Sequence, residues 1–456
     1  MAELVPLEEI RAAAHRIAGV VVRTPLVPFP GAVAPSDATP PSPGRPDLLV
    51  KPESLQPTGA FKLRGAYNAI RVLTEDPLTR PGGVVAHSSG NHGFAVAYAA
   101  AMLGVKAAIV VPRGAPRVKT DAIAGAGAEL VWVEPNLAAR VAATGQIART
   151  RGYAEIPPFD HRLVIAGQGT IGLEIAEDLA ARPPRAVLVP VAGGGLISGI
   201  AVAVTALLPE TKVIGVEPEL AADARDSLHS GTRVAWQAAD TARTMADALR
   251  VEQVGELTFP HIRELVSDIV TVTEDEMLAA VRQLALRARL VAEPGGAVAV
   301  AASLSRSAAE LGLAAADGAP LVAVLSGATS TRDCWPGSWA RKRRPTIGSA
   351  MRTGLAYTSA RILLLVISVV LLYLAGARGI LLLALAFVIS ALASYVLLSR
   401  QREVLAGALN RRLGRVTTKA AEFRERLEEG TAAEDAEDAA GEPAVAETSG
   451  EAMPRG

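Results

Sequence analysis

Lys62 lies in residues 57–65, a glycine-flanked segment whose composition suits covalent chemistry at an amine. Lys and Arg together number 46 in this chain, and only seven of them are lysines. A lysine retained beside Phe61 therefore suggests that a primary amine is needed there. A lysine whose pKa is lowered by burial can form a Schiff base, which arginine cannot do. The alternative is a solvated lysine at a helix start, and three further segments argue against it.

The first of these segments is residues 86–93, where small and hydroxyl-bearing residues precede an alanine-rich stretch that predicts a helix over residues 95–103. Backbone N–H groups and hydroxyls at the start of a helix can bind a carboxylate. Ser88 and Ser89 are therefore candidate binding residues. The alternative is an ordinary serine cap of the helix.

The second segment contains three consecutive glycines between an apolar strand, residues 186–191, and an apolar helical stretch. This order lets free backbone amides surround a phosphate at a helix N-terminus. The motif is neither a Walker A loop nor a dinucleotide-binding fingerprint, and a flexible turn is the alternative. The third segment is residues 321–325, a buried-type strand that ends at Ser326.

A reactive amine, a phosphate-binding turn, a carboxylate-binding loop and a strand-end serine together suit pyridoxal phosphate. Over about residues 5–328, the chain resembles the fold-type II pyridoxal-phosphate enzymes of the serine/threonine dehydratase and serine racemase group. The lysine motif of that group matches residues 51–66, and its serine-loop motif matches residues 87–93. The chain departs from the family pattern at Ala60, Phe94 and Ala192, where Ser, Gln and Gly are usual.

The resemblance implies a role for each matching residue. Lys62 should hold the cofactor as a Schiff base and remove the substrate's α-proton, while Ser89 acts on the opposite face in the racemase branch. Asn91 should bond the cofactor's 3′-oxygen, Phe61 should pack beside its ring, and Ser326 should meet its pyridine nitrogen. The residues expected to bind the phosphate are Ala192, Gly193, Gly194, Gly195 and Leu196. The expected substrate-binding loop contains Ser88, Ser89 and His92, and His92 is expected to be structural within it.

A cation site is a further candidate. Glu217 and Asp223 lie six residues apart with the carbonyl of Ala221 between them, which is a set of oxygens that suits a hard ion. Such spacing is common on solvated surfaces. The resemblance to the serine racemase branch, however, implies a structural divalent cation such as Mg²⁺ at these positions.

The implied reaction is α,β-elimination of L-threonine, L-serine or both, which releases 2-oxobutyrate or pyruvate plus ammonia. Two alternatives stay open: an amino-acid racemase on the same scaffold, and a catalytically inactive membrane-associated protein. No motif in the sequence ranks threonine above serine.

Composition narrows the fold and the compartment. Acidic and basic residues are equal in number, 46 each, which argues against a nucleic-acid partner. Cys334 is the only cysteine, which fits a reducing compartment, so we expect a cytoplasmic catalytic domain. Apolar strand-type runs alternate with alanine-rich helical patterns, and this predicts an α/β fold with parallel sheets. The predicted strands are residues 84–86, 107–111, 130–133, 186–191, 213–216 and 321–325.

The resemblance also implies the domain organisation of the first part of the chain. Residues 1–330 should form a two-lobed, tryptophan synthase β-like domain, with the small lobe, about residues 55–153, inserted in the large one. The cofactor should lie between the lobes. The family commonly forms dimers or tetramers, so a homo-oligomer is expected.

Two almost purely apolar stretches, residues 362–377 and 380–398, change the character of the chain. Basic residues flank the pair on both outer sides, which predicts a transmembrane helical hairpin over residues 355–399 with both ends in the cytoplasm. The alternative is a buried hairpin of a soluble core. A charged helix is predicted over residues 400–430 and a disordered acidic tail over residues 431–456. This segment resembles a small actinobacterial membrane-protein family of unknown function.

The junction between the two parts, residues 331–354, is an irregular basic linker. Directly after Ala328, the chain departs from the asparagine and short helix that the dehydratase family has there. We hypothesise a frameshift at this point, with Met351 as the true start of a neighbouring membrane protein. The catalytic domain is membrane-anchored only if the fusion is genuine.

Overall fold

The structure is a computed structural model that describes residues 3–30, 47–88, 90–313 and 318–328, together with parts of residues 365–387. The chain divides into two compact units, Met1–Ala340 and Arg341–Gly456. All the named strands and helices lie in the first unit.

The first unit alternates strands and helices along the chain. The strands are β1 (Val27–Pro28), β2 (Leu48–Pro52), β3 (Gly83–His87), β4 (Ala107–Pro112), β5 (Glu129–Val133), β6 (Tyr153–Glu155), β7 (Ala186–Pro190), β8 (Lys212–Pro218), β9 (Asp268–Val272) and β10 (Leu321–Leu325). The helices are α1 (Leu7–Ile17), α2 (Lys62–Leu73), α3 (Asn91–Met102), α4 (Arg117–Gly125), α5 (Leu137–Arg151), α6 (Arg162–Asp178), α7 (Gly195–Leu207), α8 (Asp223–Ser230), α9 (Ala238–Thr241), α10 (Thr258–Leu265), α11 (Glu274–Gln283) and α12 (Pro294–Ser305). Short 3₁₀ turns occur at Glu53–Leu55 and Asp247–Leu249, and a π-helical turn at Leu284–Ala288.

Two sheets organise these elements. The larger has the strand order β1-β2-β10-β7-β8-β9, and only the β1–β2 pair is antiparallel. The smaller has the order β5-β4-β3-β6 and is parallel throughout. Strands β7 and β10 consist of buried residues only, as expected for parallel strands covered by helices on both faces. The prediction of an α/β fold with parallel sheets is confirmed.

All six strands predicted from apolar runs are present, as β3, β4, β5, β7, β8 and β10. The sequence did not indicate β1, β2, β6 or β9. Strands β1 and β6 are only two and three residues long. Strand β2 carries Lys51, whose charge is completely buried, and β9 contains polar Asp268 and Thr271. Short or polar strands escape a search for apolar runs.

Helices α6 and α7 pack very closely against each other beside the larger sheet. A Cβ atom at Gly199 would lie 2.3 Å from the carbonyl oxygen of Ile165 and 2.5 Å from the amide of Gly169. Any side chain at Gly199 would therefore push α6 away from α7. Since α7 begins at the glycine turn, this packing fixes the position of that turn.

The order of the larger sheet brings three predicted motifs to one edge. Strands β2, β10 and β7 are neighbours and run parallel, so their carboxyl ends lie side by side. The Lys62 motif follows β2, Ser326 follows β10, and the glycine turn follows β7. In open α/β sheets, ligands bind in the crevice at the carboxyl ends of the strands.

The predicted transmembrane hairpin is only partly covered by the structure. Residues 365–374 are helical, and among the described residues no helix is both long and apolar enough to cross a bilayer. Most of the hairpin, residues 355–399, lies outside the described residues. So do the linker, residues 331–354, the charged helix, residues 400–430, and the acidic tail, residues 431–456. These four assignments remain predictions.

Candidate active site

Lys62 is the first residue of α2 and is partly buried. Its Nζ donates a hydrogen bond to the carbonyl oxygen of Pro158 at 2.7 Å, and lies 4.9 Å from the centre of the Phe61 ring. Burial lowers the pKa of Lys62 to about 8. A much larger fraction of this amine is therefore neutral near pH 7 than for an exposed lysine, and the neutral amine is the nucleophile.

The segment before Lys62 is joined to the end of β10 by backbone hydrogen bonds. The amide of Phe61 donates to the carbonyl of Ser326 at 3.1 Å, and the amide of Ala328 donates to the carbonyl of Gly59 at 2.9 Å. Gly59 has φ of +72°, a conformation that favours glycine. Ser326 itself is 6% exposed. These bonds place the lysine and the strand-end serine next to each other, although they are far apart in sequence.

A buried ion cluster holds the start of α2 in place. Arg64 forms ion pairs with Glu53 at 2.8 Å and with Glu174 at 2.6 Å, and Lys51 bonds Glu174 at 2.6 Å. Burial opposes ionisation of Glu53, but Arg64, Thr24 and Lys51 together outweigh it, so the pKa of Glu53 lies below its ordinary value. Two positive charges thus balance two negative ones. Because Arg64 is two residues from Lys62, this cluster sets the position of the reactive amine.

The three glycines after β7 form a turn that leads into α7. Gly194 has φ of +91° and ψ of −10° and precedes the helix. A Cβ atom at Gly193 would lie 2.3 Å from the ring of Phe159, and one at Gly195 would lie 2.9 Å from its Cα. The first-turn N–H groups of α7, from Gly195 and Leu196 onward, have no acceptor within the helix. Together with the positive end of the helix dipole, they form a site for an anion.

Residues 158 and 159 connect the amine to the glycine turn. The carbonyl of Pro158 accepts from Lys62, and Phe159, the next residue, packs on Gly193 and Gly195. Ala192, partly buried, precedes the turn. The sequence indicated the amine and the glycines as separate motifs, whereas the segment that joins them carries no motif.

The serine loop follows β3 in the smaller sheet. The Oγ of Ser88 accepts a hydrogen bond from the amide of Gly90 at 3.1 Å, and the amide of Ser88 donates to the carbonyl of Val110. A Cβ atom at Gly93 would lie 2.4 Å from the carbonyl of Ser88, so the loop folds tightly over the start of α3. Ser89 lies outside the described residues. Its predicted catalytic role remains a prediction.

The ring of His92 is 4% exposed, and its Nε2 lies 2.7 Å from the carbonyl oxygen of Ile156. Burial, aided by the charge of Lys62, lowers the pKa of His92 to about 3. A neutral imidazole that donates to a buried carbonyl ties the serine loop to the segment after β6. This geometry fits the structural role expected for His92 better than direct contact with a substrate.

Asn91 contacts a carboxylate that the sequence did not single out. Its Nδ2 donates to Oε1 of Glu293 at 2.7 Å, and Glu293 is 2% exposed. A second carboxylate that the sequence did not single out is that of Asp247, which forms an ion pair with Lys119 at 2.6 Å. The signal for Glu293 in the sequence is weak: an acidic residue directly before Pro294, at the start of a glycine-containing helix.

The predicted cation site consists of buried carboxyl groups at the end of β8 and at the start of α8. Glu217 is completely buried and accepts hydrogen bonds from the amides of Ala224 and Arg225. Burial raises the pKa of Asp223 to about 7, and burial together with Asp223 raises the pKa of Glu217 well above its ordinary value. Ala221, between them, is 1% exposed. Among the described residues, no cluster of three or more His, Cys, Asp or Glu side chains forms a metal site. A cation here would need the backbone carbonyl, and the site remains a prediction.

Comparisons with known proteins agree with this geometry. The chain is 43% identical over 259 residues to the catabolic L-threonine dehydratase of Escherichia coli (strain K12), an alignment that covers 57% of this chain and 77% of that enzyme. It is 39% identical over 260 residues to the serine racemase of Arabidopsis thaliana, covering 57% of this chain and 76% of the relative. The crystal structure of the T.th. threonine deaminase matches with a TM-score of 0.63 and 41% sequence identity, covering 72% of this chain and 99% of that one.

The model of one protein family, described as "Pyridoxal-phosphate dependent enzyme", matches residues 17–327. The match contains the lysine, the serine loop, the glycine turn and Ser326. It also contains the buried pairs around Asn91 and Glu217. The chain therefore belongs to the pyridoxal-phosphate dependent enzymes.

Proposed function

We propose that this chain is an ammonia-lyase that converts L-threonine, L-serine or both into 2-oxobutyrate or pyruvate plus ammonia. The observation that carries the proposal is the partly buried Lys62 amine, whose pKa is lowered to about 8, at the carboxyl edge of the sheet beside Ser326 and the glycine turn. The 43% identity to the E. coli catabolic L-threonine dehydratase supports threonine as a substrate.

The residues present fit pyridoxal phosphate. Lys62 offers a partly neutral amine for the aldehyde, and the first turn of α7 offers N–H donors for the phosphate. The turn requires glycine at positions 193 and 195, because a Cβ atom at either would collide with Phe159. Ser326 supplies a hydroxyl at the end of β10. When bound, the cofactor supplies an aldehyde that captures amines and a ring that withdraws electrons from the amino acid's α-carbon.

The protein's own residues then have distinct tasks. Lys62, once neutral, accepts the α-proton, and the carbonyl of Pro158 orients its amine. The serine loop, residues 88–91, binds the substrate's carboxylate at the N-terminus of α3, where backbone N–H groups and the helix dipole favour negative charge. Ser326 would offer the pyridine nitrogen a hydroxyl and not a carboxylate, and would therefore leave that nitrogen largely unprotonated. This favours loss of a β-hydroxyl over chemistry that needs a stronger electron sink.

A racemase is the second candidate function. It is supported by the 39% identity to the serine racemase of Arabidopsis thaliana and by the buried Glu217 and Asp223 pair. A racemase needs an acid or base on each face of the α-carbon, and Ser89 is the residue expected opposite Lys62. The third possibility, a catalytically inactive membrane-associated protein, would require that Lys62 fail to hold the cofactor.

The test uses the purified full chain with pyridoxal phosphate and L-threonine or L-serine. We expect 2-oxoacid from one or both substrates, accumulating faster than D-serine. Lys62→Ala should abolish formation of the 2-oxoacid, whereas Lys106→Ala, which removes an exposed lysine on the same lobe, should not. D-serine as the dominant product would favour the racemase. A wild-type chain without visible absorption and without either product would overturn the proposal.

Five further expectations belong to this proposal. The enzyme should act on a small amino acid, form a homo-dimer or homo-tetramer, and work in the cytoplasm, attached to the membrane if residues 355–399 form the hairpin. Mg²⁺ or another divalent cation should bind at Glu217, Asp223 and the carbonyl of Ala221. No nucleic-acid partner is expected, because the charges of the chain balance.

A further inference from the structure

Glu293 is a buried residue that contacts both Asn91, which follows strand β3 of the smaller sheet, and Gly327, which follows strand β10 of the larger sheet. It directly precedes α12, and its backbone amide donates to the carbonyl of Gly327 at 3.1 Å, one residue beyond Ser326. Its Oε1 accepts from Nδ2 of Asn91 at 2.7 Å. Its Oε2 and the Oδ1 of Asn91 are buried and make no hydrogen bond within the described residues. A buried polar atom without a partner costs free energy, so these atoms point to a missing ligand or to a positioning task.

The space around this pair is tightly defined. A Cβ atom at Gly327 would lie 2.6 Å from Oε1 of Glu293 and 3.1 Å from Nδ2 of Asn91. The contact between the carboxyl and the amide therefore requires glycine at position 327. Since Gly327 follows Ser326, the pair lies at the same strand end as the serine expected to meet the pyridine ring.

Two further charged groups face Glu293 from neighbouring elements. Asp247 lies in the 3₁₀ turn Asp247–Leu249, and Lys119, on α4, bonds it at 2.6 Å. Burial and the charge of Asp247 raise the pKa of Glu293 to about 7, against the opposing effects of Asn91 and Lys119. Whether ionised or protonated, the carboxyl group can accept a hydrogen bond from the amide.

We propose that Glu293 is a positioning residue that holds the Asn91 side chain in one orientation for the cofactor. An amide has a donor end and an acceptor end of nearly equal size, and an ionised carboxylate accepts hydrogen bonds only. In its ionised form, Glu293 therefore selects the orientation in which Nδ2 faces it. The remaining N–H of Nδ2 then has a fixed direction and can serve the cofactor's 3′-oxygen. The inference rests on the proposed function, through the expected role of Asn91.

The main test is Glu293→Gln in the full chain, which keeps the shape of the side chain but can donate as well as accept. We expect roughly tenfold weaker binding of pyridoxal phosphate by equilibrium dialysis, as for loss of a hydrogen bond to a charged group. We also expect a changed ratio of the visible absorption bands, because these depend on the donors at the 3′-oxygen. Glu276→Gln is the matched control: it removes a carboxylate of the same lobe and, as glutamine, can still cap α11. It should leave both readouts unchanged.

A double-mutant cycle separates positioning from a general structural effect. If Glu293 acts through Asn91, Glu293→Gln should weaken cofactor binding in the wild-type background but not in Asn91→Ala. Equal weakening in both backgrounds, or wild-type affinity and spectrum in Glu293→Gln, would overturn the inference. Glu293→Asp, which keeps the charge but withdraws the oxygen by one methylene, is the second variant should the glutamine variant fold poorly. It should show the same loss and the same dependence on Asn91.

The same measurements distinguish failure of this inference from failure of the proposed function. If Lys62→Ala binds the cofactor with wild-type affinity and spectrum, the assignment of the site is wrong. If Lys62→Ala loses the visible band while Glu293→Gln behaves as wild type, only the role of Glu293 is wrong.

Discussion

At the residue scale, the chemistry of this chain comes from removing ionisable groups from water. Burial lowers the pKa of Lys62 to about 8 and that of His92 to about 3, and raises that of Asp223 to about 7. Each shift disfavours the charged form, as desolvation does. The amine becomes a nucleophile, the imidazole becomes a structural hydrogen-bond donor, and the carboxyl becomes a group that a cation would stabilise.

The shift of Lys62 predicts the pH dependence of cofactor capture. The neutral amine is the reactive form, so its fraction rises as the pH rises through about 8. We expect the rate at which the cofactor-free chain captures pyridoxal phosphate, followed by visible absorption, to rise with a midpoint near pH 8. Lys62→Arg should show no capture at any pH. A midpoint near the ordinary lysine pKa of about 10.4 would contradict a buried amine.

The pair Glu217 and Asp223 predicts a pH-dependent effect of Mg²⁺ on stability. Because the folded pKa of Asp223, about 7, is above its unfolded value of about 3.9, protonation stabilises the cation-free fold. That contribution is fully present below about pH 4 and is lost as the pH rises through about 7. Mg²⁺ binds the ionised pair, so it should raise the melting temperature more at pH 8 than at pH 6.

The matched variants for this prediction are Asp223→Asn and Asp226→Asn, both on α8. Asp223→Asn should remove the effect of Mg²⁺, whereas Asp226, whose carboxylate bonds the indole of Trp236, should be dispensable for it. An equal rise in melting temperature for both variants would place the cation elsewhere.

Residue-level reasoning from the sequence reached Lys62, the glycines and Ser326, because their types and spacing are unusual. It did not reach Pro158, Glu293 or Asp247. Pro158 acts through a backbone carbonyl, which any residue supplies. Glu293 and Asp247 are single acidic residues whose surroundings depend on strands and helices distant in sequence. No local pattern marks them.

At the element scale, the site is a consequence of strand order. Because β10, the last of the ten described strands, inserts between β2 and β7, three segments separated by more than a hundred residues meet at one edge. The apolar runs predicted six strands, and all six are present. Neither the order of the strands nor the short and polar ones could be predicted, since order depends on which helices cover each face.

The glycine turn gives a prediction at this scale. Gly194 has φ of +91°, and a Cβ atom there would lie 2.7 Å from Oγ1 of Thr258. Gly231, at the end of α8, has φ of +73° but no atom within 4 Å of such a Cβ. Gly231→Ala should therefore cost only the left-handed backbone strain, about 1–2 kcal/mol. Gly194→Ala should cost clearly more in the free energy of unfolding, because the turn must also shift away from Thr258.

The two glycine variants should differ in cofactor binding as well. A shifted turn moves the first N–H groups of α7, so Gly194→Ala should weaken binding of pyridoxal phosphate at least tenfold, as for loss of a charge-assisted hydrogen bond. Gly231→Ala should bind as wild type. Chemical denaturation and equilibrium dialysis measure the two effects. If both variants lose the same stability and neither loses affinity, the turn does not bind the phosphate.

At the scale of the whole molecule, the chain consists of two units of different character. The first, Met1–Ala340, contains both sheets and all the matched family residues. The second, Arg341–Gly456, contains the apolar stretches that predict a membrane hairpin, most of which the structure does not describe. The hairpin prediction rests on the hydropathy of these stretches and on the basic residues that flank them.

The hairpin prediction can be tested on the full chain. It should float with phospholipid vesicles and resist extraction at high salt. The double substitution Leu385→Arg and Ile389→Arg should reduce flotation strongly, since each arginine near the middle of a span costs about 2.5–3.5 kcal/mol. Substitution of Leu78→Arg, an exposed apolar residue of the first unit, should have no effect. Flotation that is unaffected by the double substitution, or absent in the wild type, would contradict the hairpin.

Sequencing the DNA across codons 328–351 tests the frameshift hypothesis. An uninterrupted reading frame would refute it.

The most direct measurement for the whole account is chemical reduction of the cofactor-bound chain with borohydride, followed by peptide mass mapping. The account predicts a single pyridoxyl modification, on the peptide that contains Lys62, and loss of the visible absorption band on reduction. Modification at another lysine, or no modification of a chain that nevertheless forms 2-oxoacid, would contradict it.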